Sequence, residues 1–228
     1  MDFLSADFFS ALAAIVIIDL VLAGDNAIVI ALAARNLPRT LQRRAIVWGT
    51  FGAVAVRATL TVGVLWLLAI PGLSLAGGAL LAWIAYRLLA ADDGGEHKDV
   101  RPAAGFWGAM RTIVVADAVM GLDNVLGVAG AAHGDVLLVV LGLLISVPIM
   151  VWGSRIILRW IQRFPALLYV GGAVLAWTSA KMIVDEPLIA AALEPQPLVR
   201  GAIYLAMIAG VLGIAALRNR RSAKEVLP

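Results

Sequence analysis

The chain has 228 residues, 62% of them hydrophobic and 14% charged, with a mean hydropathy of +0.96. A soluble domain carries about a quarter charged residues, so this composition excludes an ordinary water-soluble fold. The absence of cysteine removes disulfides, thiolate metal sites and thiol catalysis together, and the net charge of +3 reflects basic loops rather than a nucleic-acid surface.

A helix that crosses a bilayer needs about 20 mostly apolar residues, at about 1.5 Å each across a core about 30 Å thick. Blocks of that length dominate the sequence. The alternating segments of about ten residues that mark a closed barrel do not occur. The pattern predicts helices over 8–34, 45–70, 73–91, 109–132, 136–158, 165–184 and 199–217. Before the first block stand only Asp2 and Asp7, with no Lys or Arg. The block is also too long for a signal-peptide core, so a retained helix is expected. Pro71-Gly72, Pro165 and the stretch from Pro187 to Pro197 punctuate the chain between helices.

Orientation follows from Lys and Arg in short connections. Arg35, Arg39, Arg43 and Arg44 follow helix 1. Arg155, Arg159 and Arg163 lie around the end of helix 5, and Arg218, Arg220, Arg221 and Lys224 form the tail. The loops near 71–74, 133–135 and 185–198 carry neither residue. The alternation places the N-terminus outside, the C-terminus in the cytoplasm, and a 92–108 linker on the cytoplasmic side. Trp48, Trp66, Trp107 and Trp160 fall near predicted ends, where interfacial anchors belong.

An internal repeat is present. Helix 1 contains Asp19-Leu-Val-Leu-Ala-Gly-Asp25-Asn26 and helix 4 contains Asp117-Ala-Val-Met-Gly-Leu-Asp123-Asn124, both D-x-V-x-x-x-D-N and 98 residues apart. Helix 3 contains GGALLAW (77–83) and helix 6 GGAVLAW (171–177), followed by Arg87 and Lys181 at matching distance. Arg57 and Arg155 in helices 2 and 5 also stand 98 apart. Three helices per repeat (8–91 and 109–184) is an odd number, so the second copy must enter the membrane from the opposite side. Inverted repeats of this kind are a recurring transporter plan with a midplane substrate site. The expected fold is therefore an all-α polytopic membrane protein, a single membrane domain of seven transmembrane helices. It comprises two inverted three-helix repeats plus a C-terminal helix over 199–217.

Carboxylates at bilayer depth cost several kcal/mol each and need a bound cation, a proton or a basic partner. On a regular helix Asp19 and Asn26 share a face, while Asp25 lies about 120° from Asp19. A local break at Gly24, and one near Gly121, would re-aim these side chains and free carbonyls as ligands. Carboxylate, amide and carbonyl oxygens suit hard cations such as Mg²⁺, Ca²⁺ and Mn²⁺. The two histidines, His97 and His133, fall in predicted loops, which disfavours Zn²⁺ and Cu⁺.

The plainer readings are packing or solvation. Arg57, Arg87 and Lys181 are candidate charge-compensating or gating residues that would pair with the aspartates. Arg57 is too deep to snorkel, whereas Arg155, Arg87 and Lys181 can reach an interface. The glycine pairs 77–78 and 171–172 suit close helix packing, and Trp83 and Trp177 suit the same packing. Asp92, Asp93, Glu96, His97 and Asp99 read as a solvated linker, and His133 with Asp135 as a turn.

Paired DxVxxxDN segments with GGAxLAW in the third helix of each half resemble the TerC family of bacterial integral membrane proteins, in particular its short YjbE-type members. The resemblance covers residues 8–217. It implies membership of the lysine-exporter superfamily, location in the bacterial plasma membrane and manganese export. For some members it implies delivery of manganese to secreted enzymes. It maps a metal site onto Asp19, Asp25, Asn26, Asp117, Asp123 and Asn124. The expected activity is export of a divalent cation, Mn²⁺ first. No permanent cofactor and no enzymatic reaction are expected, and the expected partners are lipid and the cation. Export against a negative-inside potential costs about 4.6 kcal/mol per 100 mV for a dication, so coupling to protons is the simplest energy source. A Ca²⁺ transporter and a non-transporting factor that hands metal to secreted enzymes are the rivals. An intramembrane aspartyl hydrolase lacks any substrate-gating signature.

Overall fold

The computed structural model describes residues 6–63, 70–90, 102–132, 135–193 and 196–225. They form α1 (Ala6–Ala34), α2 (Arg39–Val62), α3 (Leu73–Ala90), α4 (Pro102–Ala132), α5 (Val136–Arg163), α6 (Ala166–Val184), α7 (Pro187–Leu193) and α8 (Pro197–Glu225), with no strand among the described residues. Among the described residues, six helices are long and apolar enough to cross a membrane. A seventh span results when the two segments of α1, Phe8–Leu20 and Gly24–Ala34, inclined by 50°, count as one. The apolar stretch of α8 is only 11% buried within the chain, which water would not tolerate and lipid does.

Several helix limits differ from expectation. Helix α2 starts at Arg39 rather than 45, α4 at Pro102 rather than 109, α5 runs to Arg163 rather than 158, and α8 to Glu225 rather than 217. Hydropathy marks the thickness of the bilayer, whereas the hydrogen-bond ladder continues wherever good helix formers such as Arg and Gln follow. The expected 92–108 linker is shortened in the same way, and its residues 92–101 lie outside the described residues. Helix α2 ends at Val62, with the Gly63 amide bonded to the Thr59 carbonyl at 3.3 Å; of the expected extension to 70, residues 64–69 lie outside the described residues, as does Trp66. Pro187 and Pro197 each begin a helix, as punctuation between helices allows, since proline's missing N–H costs nothing in a first turn.

The chain divides into two compact units. One comprises residues 1–70 and 106–159, and the other 71–105 and 160–228. The first holds α1, α2, α4 and α5, the leading two helices of each repeat. The second holds α3, α6, α7 and α8.

In the first unit, small residues set the contacts. A Cβ on Gly142 of α5 would lie 2.4 Å from Ile15 Cγ2 of α1, and one on Gly49 of α2 would lie 2.8 Å from Ile113 Cδ1 of α4. Residue numbers rise together along both interfaces: Ile15 and Asp19 meet Gly142 and Ser146, while Ile113 and Asp117 meet Gly49 and Arg57. Helix α1 thus runs parallel to α5, and α2 parallel to α4. That is the pairing an inverted repeat requires.

These contacts also correct the alignment of the second helices. Ile15 and Ile113 stand 98 apart, but their glycine partners Gly49 and Gly142 stand 93 apart. Buried positions 45, 46, 49, 50, 53, 54, 57 and 61 of α2 fall, at that offset, on buried positions 138, 139, 142, 143, 146, 147, 150 and 154 of α5. The repeat counterpart of Arg57 is Met150, not Arg155. Of the five-residue difference, one residue lies in the connection and four in the longer first turn of α2.

In the second unit α3 and α6 meet through the repeated glycines. A Cβ on Gly78 would lie 2.7 Å from Ile183 Cγ1 and 2.9 Å from the Ser179 carbonyl oxygen, and one on Gly172 would lie 2.4 Å from Leu89 Cδ1. The Ser179 hydroxyl donates to the Gly78 carbonyl at 2.6 Å. Glu186, buried after α6, accepts the amides of Gly72, Ser74 and Leu75 at 2.8, 3.1 and 3.3 Å and so caps the start of α3. Trp83 and Trp177 are both half-exposed and make their contacts at the surface of the unit, Trp83 beneath the Arg87 guanidinium and Trp177 packed against the Tyr204 ring at 4.4 Å.

Overpacking such contacts costs about 1–3 kcal/mol. Gly78→Ala and Gly172→Ala are therefore expected to lower the thermal unfolding temperature in detergent. Gly210→Ala, where a Cβ meets nothing within 4 Å, is expected to leave it unchanged.

Candidate functional site

Four helices of the first unit each deliver one polar side chain to a common buried point: Asp19 from α1, Arg57 from α2, Asp117 from α4 and Ser146 from α5. All four are buried, and Arg57 is 1% exposed. Arg57 donates through Nη1 to Asp19 Oδ1 and through Nη2 to Asp117 Oδ1. The Ser146 hydroxyl lies against Asp19 Oδ2 and also against the Leu143 carbonyl, and it can donate to one at a time. The convergence follows from helical spacing. Asp19 lies one turn beyond Ile15, and Ser146 one turn beyond Gly142, so the parallel contact that seats glycine on isoleucine also seats serine on aspartate.

The cluster is not saturated. Asp117 Oδ2 and Arg57 Nε are buried and have no hydrogen-bond partner. Gly121, one turn beyond Asp117, faces the arginine stem; a Cβ there would lie 3.5 Å from Nε, an ordinary contact. Asn26 is 1% exposed, and neither atom of its side-chain amide has a partner. Asp25 is half-buried and accepts the Asn26 backbone amide on Oδ1 at 3.0 Å.

The structure brings together Asp19, Asp117 and Arg57 among the residues singled out in the sequence. The side chains of Asp123 and Asn124 lie outside the described residues. Arg87 and Lys181 occupy exposed positions near the ends of α3 and α6 in the other unit. Among the described residues no three Asp, Glu or His side chains are close enough to hold a metal ion. The break expected near Gly121 is corrected, since α4 remains helical there. At Gly24 α1 is helical throughout, but its segments Phe8–Leu20 and Gly24–Ala34 meet at a 50° bend, close to the expected break. A bend spread over a turn redirects Asp25 and Asn26 relative to Asp19 without unwinding the ladder. Ser146 was missed from the sequence, where a lone serine in an apolar run carries no signal. Asp135 caps α5 by accepting the Leu137 amide at 2.9 Å, in keeping with a turn role.

A buried guanidinium stripped of its carboxylates leaves an uncompensated charge, at a cost of about 3–5 kcal/mol. The double substitution Asp19→Asn with Asp117→Asn is expected to lower stability by about that much in detergent thermal unfolding. Adding Arg57→Met is expected to restore most of it, because a neutral cluster of similar volume carries no unpaired charge. A triple variant no more stable than the double would contradict this account of the cluster.

The model of the integral membrane protein TerC family matches residues 4–225. The chain is 47% identical over 180 residues to the uncharacterized membrane protein YjbE of Bacillus subtilis (strain 168), covering 79% of this chain and 82% of that one. It is 27% identical over 245 aligned positions to the UPF0053 protein YegH of Escherichia coli (strain K12); the match covers 96% of this chain but only 45% of the longer YegH. It is 22% identical over 192 positions to the UPF0053 inner membrane protein YgdQ of the same strain, covering 77% of this chain and 81% of YgdQ. No solved structure matches the chain. With spans of membrane length and a family match over nearly its whole length, this chain is a multi-pass integral membrane protein and belongs to the TerC family.

Proposed function

We propose that the protein exports divalent cations from the bacterial cytoplasm, with Mn²⁺ as the favoured substrate and protons as the counter-ion. The observation that carries this reading is the charge imbalance of the buried cluster. Asp19 and Asp117 face one guanidinium, Arg57. With all three ionised, one negative charge remains in excess at a depth where it is costly, and a bound cation offsets it. The unpartnered Asn26 amide and Asp117 Oδ2 offer further oxygen atoms of the kind hard cations take. Asp123 and Asn124 extend the same chemistry in the sequence.

The parallel pairing of α1 with α5 and of α2 with α4 supports opposite insertion of the two repeats, as alternating access around a midplane site requires. It is also consistent with the basic residues after helix 1 and at the end of helix 5 sharing one side, which we assign to the cytoplasm. The N-terminus is then outside. No enzymatic step and no resident cofactor enter the scheme; lipid, the cation and the proton are the partners, and the reading requires no particular oligomer.

Purified protein reconstituted in liposomes is expected to move Mn²⁺ with opposite proton flow, and Asp25→Asn and Asp123→Asn are each expected to abolish the flux with folding intact. Mn²⁺ flux without proton counterflow removes the antiport. Preference for Ca²⁺ changes the substrate. Binding without flux moves the assignment to a membrane factor that hands metal to secreted enzymes, and no binding overturns the metal reading.

A further inference from the structure

We infer that Arg57 is a tethered cation that occupies the Asp19–Asp117 carboxylate pair whenever the substrate cation does not, so that cation binding and release of Arg57 are one event. The inference rests on the divalent-cation reading above and adds to it the competitor that sets affinity and turnover.

Three observations carry it. First, Arg57 lies between carboxylates that are repeat counterparts, Asp19 and Asp117, and bonds one oxygen of each. That is the place a shared cation would take. Second, its hold is partial. Nε has no partner, and Asp117 keeps a buried oxygen with none. An arginine that serves only to fix structure gains by satisfying all its donors, since each buried unpaired group is costly. Beside its stem the absent side chain of Gly121 leaves ordinary van der Waals clearance rather than a clash, so the stem is not wedged in place. Third, the two halves differ here alone among the matched buried positions that carry charge: the counterpart of Arg57 is Met150, which is 2% exposed. The second half fills the same position with an apolar side chain of similar length and stays packed. A cation at position 57 is therefore not demanded by packing.

With the guanidinium in place, the described acids do not form a three-ligand metal cluster. Withdrawing it exposes both Asp19 and Asp117 oxygens to a cation. When the cation leaves, Arg57 returns, bonds one oxygen of each carboxylate and offsets half of their charge, and the empty carrier reorients without two bare carboxylates. A carrier lacking this tethered charge holds substrate more tightly and returns empty only slowly.

The test uses the full chain with Mn²⁺ as probe, measuring binding in detergent and both net flux and ⁵⁴Mn/Mn exchange in liposomes. Arg57→Met is expected to bind Mn²⁺ at least tenfold more tightly than wild type. It is expected to lose most net flux while retaining exchange, which needs no empty return. Arg57→Lys keeps the charge but not the planar fork that spans two carboxylates, so its affinity is expected to fall between the two. If Arg57→Met does not fold, Arg57→Lys decides the matter alone: tighter binding than wild type supports the inference, and equal or weaker binding overturns it. Loss of exchange together with net flux, or weaker binding in Arg57→Met, makes Arg57 a structural residue and overturns the inference while leaving metal export standing. If wild type and both variants bind no Mn²⁺, the divalent-cation reading fails and the inference falls with it.

Discussion

The structure of the first unit centres on a buried ionic bridge, Arg57 between Asp19 and Asp117. Four helices converge there, and three formal charges sit where each would be prohibitive alone. The contact ties α1 of one repeat to α4 of the other through a residue of α2, with Ser146 of α5 completing the ring. Around it the packing is built from small residues: Gly49 and Gly142 let the helices approach closely enough for the polar side chains to meet. In lipid, where apolar surface gains little by leaving its surroundings, such close packing and polar contacts are the main sources of helix association.

The same contact explains why the units mix the repeats. The leading two helices of each copy gather around the charges, while the third helices pair through their own glycines and the Glu186 cap. The symmetry is close where packing is concerned and broken where charge is concerned. Burial recurs along α2 and α5 position by position, yet one half carries Arg57 and the other Met150. A symmetric pair of carboxylates served by one arginine keeps an acidic excess, which the cation of the proposed function would offset.

Much of this was legible in the sequence because the bilayer imposes a strong, simple code. Apolar length gave the spans, the D-x-V-x-x-x-D-N copies gave the repeat, and the depth of Arg57 marked it as a partner for an aspartate. What the code does not carry is register between helices. Arg57 and Arg155 match in residue type at the offset of the aspartates, and only the Ile15–Gly142 and Ile113–Gly49 contacts reveal the 93-residue offset that pairs Arg57 with Met150. Ser146 was invisible for the same reason. Helix ends at Arg39, Pro102 and Glu225 escaped because hydropathy reports the solvent and not the hydrogen-bond ladder. The breaks expected at Gly24 and Gly121 rested on glycine content alone. In α1 the chain bends just before Gly24, and in α4 the helix continues through Gly121.

The most direct test of the account is a pair of experimental structures of the full chain in lipid nanodiscs, one with a chelator and one with saturating Mn²⁺. The account predicts the Arg57 bridge intact in the first. In the second, Mn²⁺ lies against Asp19 and Asp117 with the guanidinium withdrawn from both. Mn²⁺ bound elsewhere while Arg57 still bridges the two carboxylates, or no bound Mn²⁺ at saturation, would contradict it.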